Sequence, residues 1–155
     1  MEHQRGDAVL RLRADGAIEL RIGGVFVMDD AETSSERLLA EATLSGIAHP
    51  RRIVVGGLGL GYTLRALLAD DRVERVVVAE LEPAVPDWMR ADVLPGADLL
   101  TDPRVDLHVA DVREVIDAAT PSSWDAILLD VDNGPGYLVH QQNASLYESP
   151  FVRRC

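Results

Sequence analysis

Four short apolar runs, RIVVG, RVVVAE, RVDLHVAD and WDAILLD, occupy the part of the chain from Arg52 onward, and helical stretches separate them. A strand that is apolar throughout is covered on both faces, and strands that alternate with helices form a parallel sheet. The expected fold is therefore α/β, with a Rossmann-like parallel core. Helices are expected over residues 62–69, 85–94 and 112–118. The four runs lead into Gly56, Glu80, Asp111 and Asp130. Ligands of open parallel sheets sit outside the carboxyl ends of the strands, so these four positions are expected to ring one crevice.

The first thirty residues have a different texture. Val9, Leu10, Leu12, then Ile18, Leu20, Ile22, then Val25, Val27 fall into alternating segments punctuated by Asp15-Gly16 and Gly23-Gly24. This pattern predicts a three-stranded antiparallel meander over residues 1–30, with a nucleoside-binding domain over 31–155. Thr33 followed by Glu36 has the spacing of a capping box, and a helix is expected from there to Gly46. Ser34 and Ser35 read as caps, since no nucleophile-elbow sequence surrounds them.

Between the first and second apolar runs lies GGLGLGYTLRALL. Glycines between a strand and a helix let the backbone approach a ligand closely at the helix start. A dinucleotide fingerprint spaces them G-x-G-x-x-G; from Gly57 the spacing here is Gly57, Gly59, Gly61, with Tyr62 where the last glycine would fall. The turn is one residue tighter, and suits one nucleoside rather than a dinucleotide. Simple strand-to-helix packing is the competing explanation of the same glycines.

Glu80 follows Gly61 by 19 positions and closes the second run. At a strand end beside such a loop, a carboxylate accepts both hydroxyls of a ribose. Asp111 precedes a helix, and either caps it or contacts the amino group of a base. Asp130 ends an apolar strand, and Asp132 and Asn133 follow it in a Gly- and Pro-containing loop that suits a cover over the pocket. A carboxylate at the end of a buried strand is costly unless used or well bonded, so Asp130 is expected to orient or deprotonate an amine, or to bind the loop backbone.

Composition narrows the functional classes. The formal net charge is −11, which repels phosphate backbones and argues against nucleic acid as a partner. All 15 basic residues are arginine, so lysine-dependent phosphate binding and Schiff-base chemistry are excluded. His3, His49, His108 and His140 lack metal-ligand spacing, and Cys155 is the single cysteine, so no metal site is expected. No apolar run approaches the ~20 residues of a membrane span, which with the lone cysteine points to a cytoplasmic protein with no membrane partner.

Taken together, the meander, the helix, VVGGLGLGYTLRALL, VVVAELEPAV, DPRVDLHVADVREVI and WDAILLDVDNGPG resemble the spermidine synthase family of polyamine aminopropyltransferases, within the class I S-adenosylmethionine-dependent methyltransferase fold. The resemblance implies that Gly57, Gly59, Gly61 and Glu80 hold the nucleoside of decarboxylated S-adenosylmethionine, or of S-adenosylmethionine itself, as co-substrate. It further implies that Asp111 contacts the adenine, that Asp130 is catalytic, and that Asp132 or Asn133 stands in for a second acid of the substrate loop. The implied partner is a small-molecule amine.

The family pattern also has a Tyr-His pair before a glutamate on the first helix, and a glutamine in the preceding strand. Here Ser34 and Ser35 precede Glu36, and GGVFVMDD has no glutamine. The acceptor therefore stays open, with a small-molecule methyltransferase and a non-catalytic family member as alternatives. The chain ends where the helix after the fourth strand begins, and a sheet stopped there leaves an apolar strand unpaired. Truncation is the expectation; a homo-oligomer in which a second copy covers the edge is the other solution.

Overall fold

The computed structural model describes residues 1–120, 122–132, 138–153 and 155. Its N-terminal sheet holds four antiparallel strands in the order β1-β2-β3-β4: β1 (Glu2–Arg5), β2 (Ala8–Leu12), β3 (Ile18–Ile22) and β4 (Val25–Asp29). Three were expected. The extra strand reads Glu-His-Gln-Arg, so it has no apolar residue for an alternation pattern to register, and it pairs with β2 as a polar edge. Gly23 and Gly24 both have positive φ, 56° and 77°, the requirement of a tight two-residue hairpin.

The pairing of β3 with β4 is interrupted. Leu20 faces Met28 while Arg21 faces Phe26, which leaves Val27 as an extra residue on β4. Such a bulge re-aims side chains and increases the local twist.

Helix α1 (Ser34–Gly46) ends at the expected glycine, but the capping box does not form. Thr33 has φ −128° and ψ 18°, away from the extended geometry that aims a cap hydroxyl at the helix, and its side chain makes no cap bond. Ser34 and Ser35 are the first helical residues rather than caps; the N–H of Ser34 donates to Glu32 Oε1 at 2.9 Å, and Ser35 Oγ donates to Glu36 Oε2 at 2.8 Å.

The remaining elements are β5 (Arg52–Gly56), α2 (Tyr62–Leu68), β6 (Arg75–Glu80), α3 (Ala84–Arg90), α4 (Ala97–Thr101), β7 (Val105–Val109), α5 (Val112–Asp117), β8 (Ala126–Leu129), a 3-10 helix (Gln141–Tyr147) and α6 (Ser149–Val152). The helix expected over 85–94 stops at Arg90, and a separate short helix, α4, follows Gly96, whose φ of 132° breaks the run. Strands β5 to β8 form a parallel sheet in the order β7-β6-β5-β8.

The apolar runs owe their lack of alternation to two cores, one on each face. Ile53, Val55, Val76 and Val78 face a core shared with Leu64, Leu67 and the N-terminal sheet, while Val54 and Val77 face Val112, Ile116 and Phe151. Fully burying each such side chain is worth roughly 1.5–3 kcal/mol, so the sequence of β5 is apolar because both faces demand it. The strand order also places the functional crevice. From β5 the chain builds outward through β6 and β7, then returns to the other side of β5 as β8, and the reversal leaves an opening at the carboxyl ends of β5 and β8. Among the described residues, no helix is long and apolar enough to cross a membrane.

Candidate active site

The turn after β5 is a close-packed construction. Gly57, with φ 94°, donates its N–H to Ala79 O at 2.8 Å, and a Cβ on it would fall on the carbonyl oxygen of Asp130. A glycine is required there because two neighbouring parallel strands converge on one turn. Gly59 has φ 50°, and a Cβ would lie 2.6 Å from Met28 Sδ, which also accepts the N–H of Leu60 at 3.2 Å. The N-terminal sheet is thereby seated directly on the glycine loop. Gly61 serves differently: it begins α2, a Cβ on it would lie 2.7 Å from Leu99 Cδ1, and it does not reach the cavity wall. Of the three loop glycines, Gly57 and Gly59 line the cavity.

That cavity has a volume of about 450 Å³, within the range of small-molecule sites, and lies between the carboxyl ends of the parallel strands, the N-terminal sheet and α1. Glu80, Asp111, Asp130 and Asp132 line it, as does Glu36. The crevice expected from the strand ends is thus present.

Glu80 is buried, and burial pushes its carboxyl above the usual range. Its two oxygens accept the N–H groups of Leu58 and Glu82, each at 2.7 Å. One side chain therefore ties the glycine loop to the turn that follows β6, and no cation offsets its charge within these bonds.

Asp111 performs the capping role expected of it. Its Oδ1 accepts the N–H of Arg113 at 2.9 Å, and the Arg113 guanidinium binds both carboxylate oxygens, which holds the carboxyl below its usual range. Arg113 also reaches Gln142 O at 3.1 Å and Ser145 Oγ at 2.6 Å.

Asp130 stands one residue beyond β8, where its N–H donates to Gly56 O at 2.8 Å. Burial raises its carboxyl, the hydroxyl of Thr63 at 2.6 Å from Oδ2 opposes that rise, and the charge of Glu36 adds to it. A half-buried carboxylate so tuned is suited to taking a proton from a bound ammonium.

Asp132 has its oxygens engaged: Oδ1 accepts from Val139 N at 2.6 Å and Asn143 Nδ2 at 3.1 Å, and Oδ2 from the Tyr147 hydroxyl at 3.1 Å. It anchors the segment that carries Val139, His140, Asn143 and Leu146 onto the cavity wall. Asn133 lies outside the described residues. Burial, with the Asp132 carboxylate alongside, pushes the Tyr147 phenol up to about 12.

Three contributors were not legible as site residues. Thr63 sits in the first turn of α2 with no motif to mark it, Arg113 is a helix residue in an arginine-rich chain, and Met28 looks like an ordinary strand apolar residue. For Glu36 the signal was its place on the first helix, which the capping spacing obscured.

No protein-family model matches the chain. Putrescine N-methyltransferase 4 of Nicotiana tabacum is 28% identical over 142 residues, which span 90% of this chain and 33% of that protein. Spermine synthase of Arabidopsis thaliana is 27% identical over 136 residues, 88% of this chain and 36% of that one. Spermidine synthase 1 of Pisum sativum is 25% identical over 138 residues, 88% of this chain and 39% of that one. Over most of its length the chain is similar to putrescine N-methyltransferases and to spermidine and spermine synthases. It spans about a third of the length of these curated relatives.

Solved structures of spermidine synthases share the fold of this chain. A spermidine synthase in complex with the transition-state analogue AdoDATO superimposes with a TM-score of 0.82 at 20% identity, covering 100% of this chain and 52% of that one. Spermidine synthase from Thermotoga maritima gives 0.73 at 21% identity, over 85% of this chain and 48% of that one. The parallel sheet, the antiparallel N-terminal sheet and the crevice between them form the Rossmann-like methyltransferase architecture expected from the sequence.

Proposed function

We propose that this chain carries the donor site and the catalytic carboxylate of an aminopropyltransferase, with decarboxylated S-adenosylmethionine as co-substrate and a small amine as acceptor. The observation that carries this reading is the charge of the cavity wall: Glu36, Glu80, Asp111, Asp130 and Asp132 line it, and among the described residues no arginine does. Such a wall favours a ligand whose ionic groups are all cationic. Decarboxylated S-adenosylmethionine has a sulfonium and an ammonium; the parent compound adds a carboxylate.

In the proposed arrangement the nucleoside lies over Gly57 and Gly59, its ribose hydroxyls donate to Glu80, and the adenine end lies toward Asp111. Asp130 accepts a proton from the acceptor ammonium. The freed nitrogen lone pair forms a bond to the propyl carbon beside sulfur, the carbon–sulfur bond breaks with its electron pair going to sulfur, and neutral methylthioadenosine leaves. The product nitrogen keeps its two protons as a secondary ammonium at neutral pH, and Asp130 releases the proton it accepted to solvent.

Methyl transfer from S-adenosylmethionine is the second reading, favoured by His140 on the cavity wall as a partner for the donor's carboxylate and by the putrescine N-methyltransferase relatives. Isothermal titration with decarboxylated S-adenosylmethionine, S-adenosylmethionine and methylthioadenosine separates the two. Tighter binding of the decarboxylated form supports aminopropyl transfer, tighter binding of the parent compound supports methyl transfer, and no binding of any of the three rejects both.

A further inference from the structure

The side of the cavity contributed by the N-terminal sheet and by Leu39 of α1 is apolar. Leu20 and Ile22 from β3, Val27 and Met28 from β4, and Leu39 from α1 line this side of the cavity. The bulge in β4 is what makes the wall continuous: adjacent residues of a regular strand point to opposite faces, yet Val27, the extra residue, and Met28 both line the cavity. Carboxylates do occur on the neighbouring backbone, but Asp29 is engaged by Arg13 at 2.5 Å and Asp30 by the N–H of Ile18 at 2.7 Å, and neither lines the cavity.

Among the described residues, the polar groups that α1 and its neighbours add to this side are gathered at one end. Glu36 and Ser35 from the start of α1 and Asp130 with Thr63 stand together there, close enough for the Glu36 charge to act on Asp130. Among the described residues, an acceptor laid from Asp130 along this side therefore meets carboxylates at its reacting nitrogen and hydrocarbon along β3 and β4, while Asp132, His140 and Asn143, which also line the cavity, belong to the segment after β8. A second ammonium laid against Leu20, Ile22 and Val27 loses its hydration with no partner in return, whereas an alkyl chain there gains from burial.

We infer that the acceptor is an amphiphilic monoamine, one ammonium on an apolar body, rather than a diamine or longer polyamine. The inference rests on the placement of the acceptor at Asp130 proposed above. It adds to that placement a specificity set by the N-terminal sheet, with Val27 as a specificity-determining residue.

The test compares hexylamine with hexamethylenediamine, two chains of equal length that differ only in the far ammonium, by titration calorimetry with and without saturating methylthioadenosine. Hexylamine is expected to bind about tenfold or more tightly than the diamine. Equal or tighter binding of the diamine, or binding of neither amine, overturns the inference. Failure of methylthioadenosine to bind while hexylamine still prevails rejects the donor reading and leaves the apolar acceptor wall standing. Val27→Asp places a carboxylate on that wall and should bring the diamine's affinity up to or above that of hexylamine. A folded Val27→Asp protein with an unchanged ratio removes Val27 from the acceptor wall, and should that variant fail to fold, the wild-type comparison decides.

Discussion

The hydroxyl of Thr63 lies 2.6 Å from Oδ2 of Asp130, bringing the first turn of α2 to the carboxylate at the end of β8. The same hydroxyl is 3.4 Å from the carbonyl oxygen of Glu36, so one small side chain touches three elements of the site. Its bond favours the ionised form of Asp130 against the rise that burial imposes.

Thr63→Val removes that bond while keeping the shape. Asp130 should then hold its proton to higher pH, and the acid limb of the turnover profile should move up by about one to two pH units, as expected for loss of a hydrogen bond to a charged group worth roughly 1.5–3 kcal/mol. A pH–rate profile of the variant with decarboxylated S-adenosylmethionine checks this; an unmoved acid limb removes Thr63 from the tuning of Asp130.

Gly57→Ala is expected to destabilise the fold by more than about 2 kcal/mol, since it combines a left-handed backbone with a collision at the Asp130 carbonyl. Gly16→Ala has the strained backbone, φ 90°, with nothing within 4 Å, and should cost only about 1 kcal/mol. Urea denaturation of the two variants side by side measures the difference, which isolates the close approach of the strands.

Glu80 makes stability fall as pH rises. Its carboxyl is raised in the folded protein, so the folded state holds the proton more firmly than the unfolded chain does. The favourable contribution is fully present below the ordinary carboxylate value of about 4.3, and is lost as pH climbs through the raised value. Glu80→Gln abolishes this titration. The melting temperature of the wild type minus that of the variant should therefore be larger at pH 4 than at pH 7, although the variant, with one acceptor oxygen fewer for Leu58 and Glu82, is less stable at both. A difference that does not change with pH sinks the assignment.

Asp132→Asn should lower the Tyr147 phenol from about 12, because it removes a neighbouring negative charge, yet leave it above the ordinary value, because burial is the larger cause. Ultraviolet titration of wild type and variant reports the shift. The variant should also loosen the 3-10 helix, where faster amide exchange at Asn143 and Leu146 is the expected sign.

Much of this architecture was legible because it depends on local pattern. The bounds of β5 and β6 coincide with the runs RIVVG and RVVVAE, since every residue after the exposed leading arginine is buried, with both faces of each strand covered. The edge strand β1 was hidden for the opposite reason, having nothing to bury. Within the site, Glu80, Asp111 and Asp130 stood out because strand ends are positions with a physical meaning. What spacing did not convey was how their oxygens are shared: Asp111 with Arg113, Asp132 with three donors from residues that follow it, and Asp130 with Thr63, 67 positions earlier. Those bonds depend on which elements meet in space. The missing capping box belongs to the same class, because the backbone of Thr33 is set by its junction with β4 rather than by its own preference.

The ladder between β5 and β8 acts as a ruler for the candidate site. Gly56 is paired with Leu129, and its carbonyl holds the N–H of Asp130, so the glycine loop and the Asp130 carboxylate are measured off from a single rung. A slip of one residue would carry Asp130 about 3.3 Å along the strand and turn its side chain to the opposite face of the sheet. The distance between the glycine loop and the Asp130 carboxylate is therefore held by main-chain hydrogen bonds, which side-chain substitution in the pocket leaves in place, so the lining of the pocket is free to change while its span stays constant.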